Sequence, residues 1–176
     1  MATLESEFLR FSTAKLEQMM DRIEACAAEL TPEQVWTRGT AQQNAMGNLL
    51  LHLEGNVRQW ILSGIGGAPD HRVRDVEFST RESEAAPAEL IARLRETVQE
   101  AIAVIGRLTG AQLLETVRIQ GYEGTTLQAV YHVVEHFAGH AFQIIFLTKL
   151  LTGEDLGFYS YLSATGRASG SAAMTP

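Results

Sequence analysis

Apolar residues recur every three or four positions through four long stretches of this chain, the period of a helix with one face turned to a core. The first stretch covers residues 3–29, where Leu4, Phe8, Phe11, Met19, Ile23, Cys26 and Leu30 are mostly three or four apart. The second runs from Ala45 to Ser63 on Met46, Leu49, Leu50, Leu53, Val57, Trp60 and Ile61. Gly64, Gly66, Gly67 and Pro69 end it, because glycine loosens the backbone and proline cannot continue a helical ladder. The third, Pro87 to Leu108, sets Leu90, Ile91, Leu94, Val98, Ala101, Ile102 and Ile105 against a charged face of Glu89, Arg93, Glu96 and Glu100. The fourth spans Thr125 to Leu151 and stops before Gly153.

The connections carry their own signals. Thr31-Pro32-Glu33-Gln34 predicts a short helix start, with Thr31 as cap, Pro32 in the first turn and Gln34 closing a capping box; Thr109 to Gln112 repeats the device. Residues 64–83 are rich in charge and turn formers and read as a long exposed crossover containing at most a helical turn. Residues 116–123 alternate weakly and end near glycine, which suits an extended arm or a short hairpin. Small and polar residues fill 163–176, a composition expected to be disordered. Four long helices and two longer connections predict an all-α protein, a four-helix bundle over residues 1–162 with a long crossover and no guarantee of strict up-down order.

Composition narrows the function. A chain of 176 residues, 45% hydrophobic and 20% charged, fits one globular domain. Fourteen Lys+Arg against 21 Asp+Glu leave a net charge of −7, which argues against broad binding to nucleic acid or docking on anionic lipid. The single cysteine, Cys26, allows no intramolecular disulfide and lies on an apolar stripe, so it reads as a small core residue rather than a nucleophile. No apolar run approaches the roughly 20 residues of a membrane span, and the first residues lack a signal-peptide pattern. The expectation is a cytoplasmic protein with no nucleic-acid or membrane partner.

Histidines are the distinctive feature. Of His52, His71, His132, His136 and His140, three lie at i, i+4 and i+8 on the fourth helix. Each four-residue step rotates by about 40°, so these three fall within roughly 80° of one side. Leu127, Val130, Val133, Val134, Phe137, Ala141, Ile144 and Ile145 cover most of the remaining circumference, which predicts burial on most sides. Imidazoles on such a helix need partners or a polar cavity, because an unpaired buried polar group costs about 1–3 kcal/mol. His52 lies on the flank of the second helix beside Asn48, Asn56 and Gln59. Two histidines one turn apart, plus a third from a facing helix, match a three-imidazole metal site with open positions. Histidines paired with carboxylates such as Glu135 fit the same spacing, and both readings stay open on spacing alone. His71, in the charged loop, is read as solvent-exposed.

The segments Asn48-Leu-Leu-Leu-His52-Leu-Glu-Gly-Asn56 and His132-Val-Val-Glu-His136-Phe-Ala-Gly-His140-Ala-Phe-Gln143-Ile144 together resemble the DinB/YfiT-like superfamily. Helix order, helix lengths and the interval between the motifs agree over about residues 1–151. The resemblance implies a four-helix bundle of bacterial type that holds a divalent metal on His52, His136 and His140. It implies a supporting role for His132, with Gln143 and Asn48 grouped beside it. Where family members often carry a further histidine before the last ligand, this chain has Gly139, which would widen the cavity or remove a helper. The resemblance also implies thiol chemistry in some members and hydrolysis in others, and bundles that commonly pair into homodimers.

Imidazole ligands suit zinc, nickel or iron, and the sequence does not choose among them. The leading expectation is a metal-dependent S-transferase that joins a low-molecular-weight thiol to a small electrophile. The alternatives are a metal-dependent hydrolase and a non-enzymatic, metal-stabilised binding or stress-related module. Hydrolysis usually wants a carboxylate base, and Glu135 and Glu54, close in sequence to ligands, point about 100° and 200° away from them. Trp36, Trp60 and Tyr131 are candidates either to line a substrate pocket or to serve as ordinary core.

Overall fold

Side-chain caps decide where most of the helices begin. In the computed structural model, which describes residues 3–81 and 86–162, Thr3 caps α1 (Leu4–Ala28) by accepting from the Ser6 amide. Thr31 with Gln34 opens α2 (Pro32–Val35), and the two residues close a reciprocal capping box. α3 (Met46–Val57) continues directly into a π-helical turn, Arg58–Ser63. The short α4 (Arg74–Ser79) precedes α5 (Pro87–Ile105), and Thr109 with Gln112 caps α6 (Gly110–Leu113). Strands β1 (Thr116–Ile119) and β2 (Tyr122–Thr125) pair antiparallel, and Thr125 with Gln128 caps α7 (Thr126–Thr152). Gly153 ends α7 at φ 75°, a left-handed conformation that glycine adopts without a Cβ penalty. The tail expected to be disordered, 163–176, lies outside the described residues.

The long helices make an all-α bundle. α1 packs on α5 and α7, and α3 packs on the same two, so α1 and α3 stand diagonally and sequence neighbours are not all neighbours in space. Leu16, Met20 and Ile23 from α1 meet Leu49 and Leu53 from α3, Leu94 and Val98 from α5, and Val130, Val133 and Phe137 from α7 in one apolar cluster. Cys26 is fully buried among them, and burial pushes its thiol up, as befits a core residue.

Four sequence expectations need correction. The stripe on α1 is rotated: Leu9, Ser12, Leu16, Met19 and Ile23 are buried, whereas Leu4 and Phe11 are exposed. Leu9 and Phe11 are two residues apart, about 200° round the helix, and cannot share its inner face. The second long helix is not regular to Ser63, because Trp60, Ile61 and Leu62 are buried in succession and the wider π turn accommodates all three. The third helix stops at Ile105, short of Leu108. The crossover after Gly64 is not simply exposed: Glu77 and Thr80 are buried, and Arg72 shows only 4% of its side chain to solvent. Their burial follows from docking on α3, where the Asn48 amide donates to the backbone carbonyls of Glu77 and Thr80 at 2.9 and 3.2 Å.

The weakly alternating segment is a hairpin. Gln120 and Gly121, at φ 54° and 81°, form its two-residue turn in the left-handed conformation that a twisted hairpin favours. Ile119 anchors the arm to the bundle at Gly64, where any Cβ would collide with the Ile119 side chain.

Candidate metal centre

α3 and α7 are direct neighbours, and that contact carries His52 to the His136–His140 side of α7. One ring nitrogen from each of His52, His136 and His140 lies within 4.8 Å of the other two. His52 Nε2 and His136 Nε2 are 3.1 Å apart. Two nitrogens bound tetrahedrally to one ion at roughly 2.0–2.1 Å stand about 3.4 Å from each other, so this pair is already spaced to share a cation.

The partners of the rings fix which nitrogen is free. His52 Nδ1 is 2.8 Å from Glu77 Oε2. A carboxylate only accepts, so Nδ1 carries the proton and Nε2 keeps its lone pair. The same carboxylate takes two donations from Arg72, from Nε to Oε1 at 2.6 Å and from Nη2 to Oε2 at 3.0 Å. His140 Nδ1 lies 3.0 Å from Gln143 Oε1, which again leaves Nε2 as the free nitrogen. This is the outer support that orients metal-binding imidazoles elsewhere. His136 Nδ1 is buried without a partner. Among the described residues nothing pairs with that nitrogen, so His136 lacks the outer support that the other two rings have.

Electrostatics favours the unprotonated rings. Burial, with His140, His52, His132 and Arg72 nearby, pushes the His136 imidazole down to about 3. Burial also lowers His140, although the Gln143 hydrogen bond opposes it. For Glu77, burial raises the carboxyl, but hydrogen bonds from His52 and Arg72 and their charges outweigh it and hold it below its ordinary value. Glu77 therefore stays a carboxylate and strengthens the His52 ring as a donor. Imidazole nitrogens and no thiolate or carboxylate make up the set, which fits a borderline transition-metal ion better than magnesium or calcium.

A pocket of about 440 Å³ opens beside these rings. His52, His132 and His136 line it together with Trp60 and Asn56, and the hairpin contributes Val117, Ile119 and Tyr122. His132 stacks on Trp60 at 4.2 Å between ring centroids and stands 5.7 Å from His136. It belongs to the wall of the pocket rather than to the three-nitrogen group.

The other sequence candidates sort accordingly. Gln143 supports His140 directly, and Asn48 acts at one remove by holding the segment that presents Glu77. Trp60 lines the pocket, whereas Trp36 is buried against Gly47 and Tyr131 is exposed, so neither of those two does. Gly139 is open to space and faces a separate shallow groove with Phe142 and Phe146, so it does not widen this pocket. His71 is exposed, as expected. Glu54 is engaged by Arg93 and Arg58, and Glu135 is exposed. The residues missed are Glu77 and Arg72, which hold His52, and Phe78, whose ring centroid lies 4.9 Å from that of His52, all from the crossover. The one signal for them was the polar flank Asn48–His52–Asn56–Gln59 on a helix otherwise built for burial, which needed a covering segment.

Comparison with known proteins agrees with this architecture. Residues 3–164 match the model of a family described as a protein of unknown function, DUF1572. Among solved structures, a conserved protein from Enterococcus faecalis superposes with a TM-score of 0.67 at 14% identity, covering 82% of this chain and 97% of the other. A DinB-like protein from Bacillus cereus gives 0.64 at 15% identity, covering 82% and 90%. These likenesses establish a DinB-like fold. No curated protein matches the sequence. Among the described residues no helix is long and apolar enough to cross a membrane.

Proposed function

Because the chain belongs to the DUF1572 family and has the DinB-like fold, we propose that it is a divalent-metal-dependent enzyme, a thiol-dependent S-transferase acting on small electrophiles. His52, His136 and His140 would hold the ion, whether zinc, nickel or iron. The observation that carries this reading is the inward convergence of three ring nitrogens next to a pocket large enough for a small molecule. An ion bound by imidazoles alone keeps its full double charge and lowers the pKa of a thiol or water beside it.

The chain's own residues would do the rest. Glu77 and Gln143 fix two of the rings, and Trp60 with the hairpin residues Val117 and Ile119 keeps water away from the bound molecules. The thiol proton leaves toward solvent at the pocket mouth. Sulfur forms the new bond to carbon, and the displaced group departs with its bonding electron pair. Hydrolysis is less well served. Glu77 is committed to His52 and Arg72, and Glu123, the one described carboxylate lining the pocket, sits on the exposed hairpin. A purely structural ion would not require the adjoining cavity.

The test is a panel of small thiols with monobromobimane as electrophile, run on zinc-loaded and chelator-treated protein beside elemental analysis. Metal-dependent conjugation, lost in His136→Ala together with the ion, is the expected result. A stoichiometric ion without conjugation for any thiol would end the transferase reading and leave the metal site. We also infer a homodimer, supported by Phe142, Phe146 and Leu150, which stand exposed one turn apart on α7. Sedimentation should give twice the chain mass, and Phe146→Glu should halve it; a monomeric wild type removes the inference.

A further inference from the structure

The pocket wall carries one positive charge that no described residue pairs with. Arg74, on α4, lines the pocket and is exposed. Its guanidinium lies 4.9 Å over the Phe78 ring, and among the described residues it has no carboxylate or hydrogen-bond partner. The other arginines around the site differ. Arg72 gives its donors to Glu77 and Gln59, and Arg93 gives its to Glu54. Phe78 in turn packs on His52, with ring centroids 4.9 Å apart. The stack Arg74–Phe78–His52 therefore holds the free guanidinium within about 10 Å of the ligand imidazole. That is a distance an extended small molecule of roughly eight or nine bonds can span.

The one opposing charge on the pocket wall is Glu123, on β2. It sits directly across the hairpin from Arg118 in the strand register, and opposite charges so placed offset one another. Among the described residues Arg74 forms no ion pair, with Glu123 or any other carboxylate. Trp60, Val117 and Ile119 add apolar surface to the same wall. Trp60 Nε1 and Asn56 Oδ1 are buried there without partners, and both residues line the pocket.

We propose that the substrate of this site carries an oxyanion, carboxylate or phosphate, which Arg74 binds at the mouth while the reacting end lies at His52, His136 and His140. The proposal rests on the metal-site reading for the inner end and on Arg74 for the outer one. A guanidinium already ordered by stacking loses little freedom on binding and offers paired donors that match either anion.

The experiment compares phenylpropionate, phenyl phosphate and the uncharged phenylpropanol as ligands of the full chain, followed by tryptophan fluorescence with zinc and after chelation. At least one anion should bind about tenfold more tightly than the alcohol, the scale of one charge-assisted contact. Arg74→Gln should abolish that preference while leaving phenylpropanol affinity and zinc content unchanged. The better anion identifies carboxylate or phosphate as the group recognised. Equal binding of all three, no binding of any, or a preference that survives Arg74→Gln would overturn the proposal. A protein that takes up no zinc but still discriminates through Arg74 would overturn the metal reading alone.

Discussion

Arg72 and Arg95 both bind carboxylates, yet they do different jobs. Arg95, on α5, reaches Glu17, Asp21 and Glu24 along one face of α1. Those carboxylates are 45%, 63% and 38% exposed at the side chain. Arg72 meets a single carboxylate, Glu77, with 4% and 8% exposure, and that carboxylate also holds His52. Exposed ion pairs are screened by water and are worth about 0–1 kcal/mol each. A buried one is costly to break, because the partner left behind is an uncompensated charge. The two clusters share their chemistry, and burial separates them: one clamps two helices at the surface, the other aims an imidazole.

The largest effect should come from breaking the buried cluster. Glu77→Gln can still accept from His52 Nδ1 but no longer supplies the negative charge that strengthens the ring as a ligand. Zinc affinity, measured by competition with a chromophoric chelator, should fall about 10- to 100-fold, the usual cost of losing such outer support. Unchanged affinity would show that Glu77 only fills space. The double variant with Arg72→Gln separates metal affinity from the instability of an unpaired arginine: stability should partly recover, and zinc affinity should not.

A second separation comes from pH. His136 is held down at about 3 by burial and its neighbours, whereas the same ring in the unfolded chain titrates near its ordinary 6.5. Below that value the unfolded state binds a proton that the folded state refuses, so stability falls as pH drops from about 6.5 toward 3. Glu77, with its carboxyl held low, adds a loss of the same sign once the pH falls through its own folded value. The unfolding free energy of the chelated protein, from urea titrations, should therefore drop between pH 7 and pH 5 by roughly 1–2 kcal/mol after allowance for partial solvent screening. His136→Gln should flatten that slope. A slope unchanged by the substitution would assign the acid sensitivity elsewhere.

The same contrast explains what the sequence could reveal. The four long helices were legible because apolar periodicity, caps and Gly153 are local signals that agree with one another. His136 and His140 were legible because one helical turn places them together whatever the rest of the chain does. His52 was legible as a polar residue on the flank of a buried helix. Glu77 was not, since it is separated from His52 by 25 residues and lies in a stretch without any period. Its burial comes from a tertiary event, the capture of its backbone carbonyl by Asn48. The exposure of Leu4 and Phe11 was hidden for a related reason. Two interleaved apolar stripes run along α1, and only the packing of α5 and α7 selects the one through Leu9, Leu16 and Ile23.

The smallest effect belongs to the surface cluster, and it completes the comparison. Arg95→Gln removes three ion pairs at once, but all three acids are solvated already and regain water when the guanidinium is gone. Loss of Arg95 also leaves like charges at Glu17, Asp21 and Glu24 on neighbouring turns of α1, which repel weakly. The expected cost is about 1 kcal/mol or less in a urea titration at moderate salt, shrinking further as salt rises. Zinc content and affinity should not change, because α1 is diagonal to α3 and contributes no residue to the three-histidine group. A loss of zinc in Arg95→Gln comparable to that in Glu77→Gln would mean that the surface clamp sets the spacing of the histidines, and the division between the two clusters would fail.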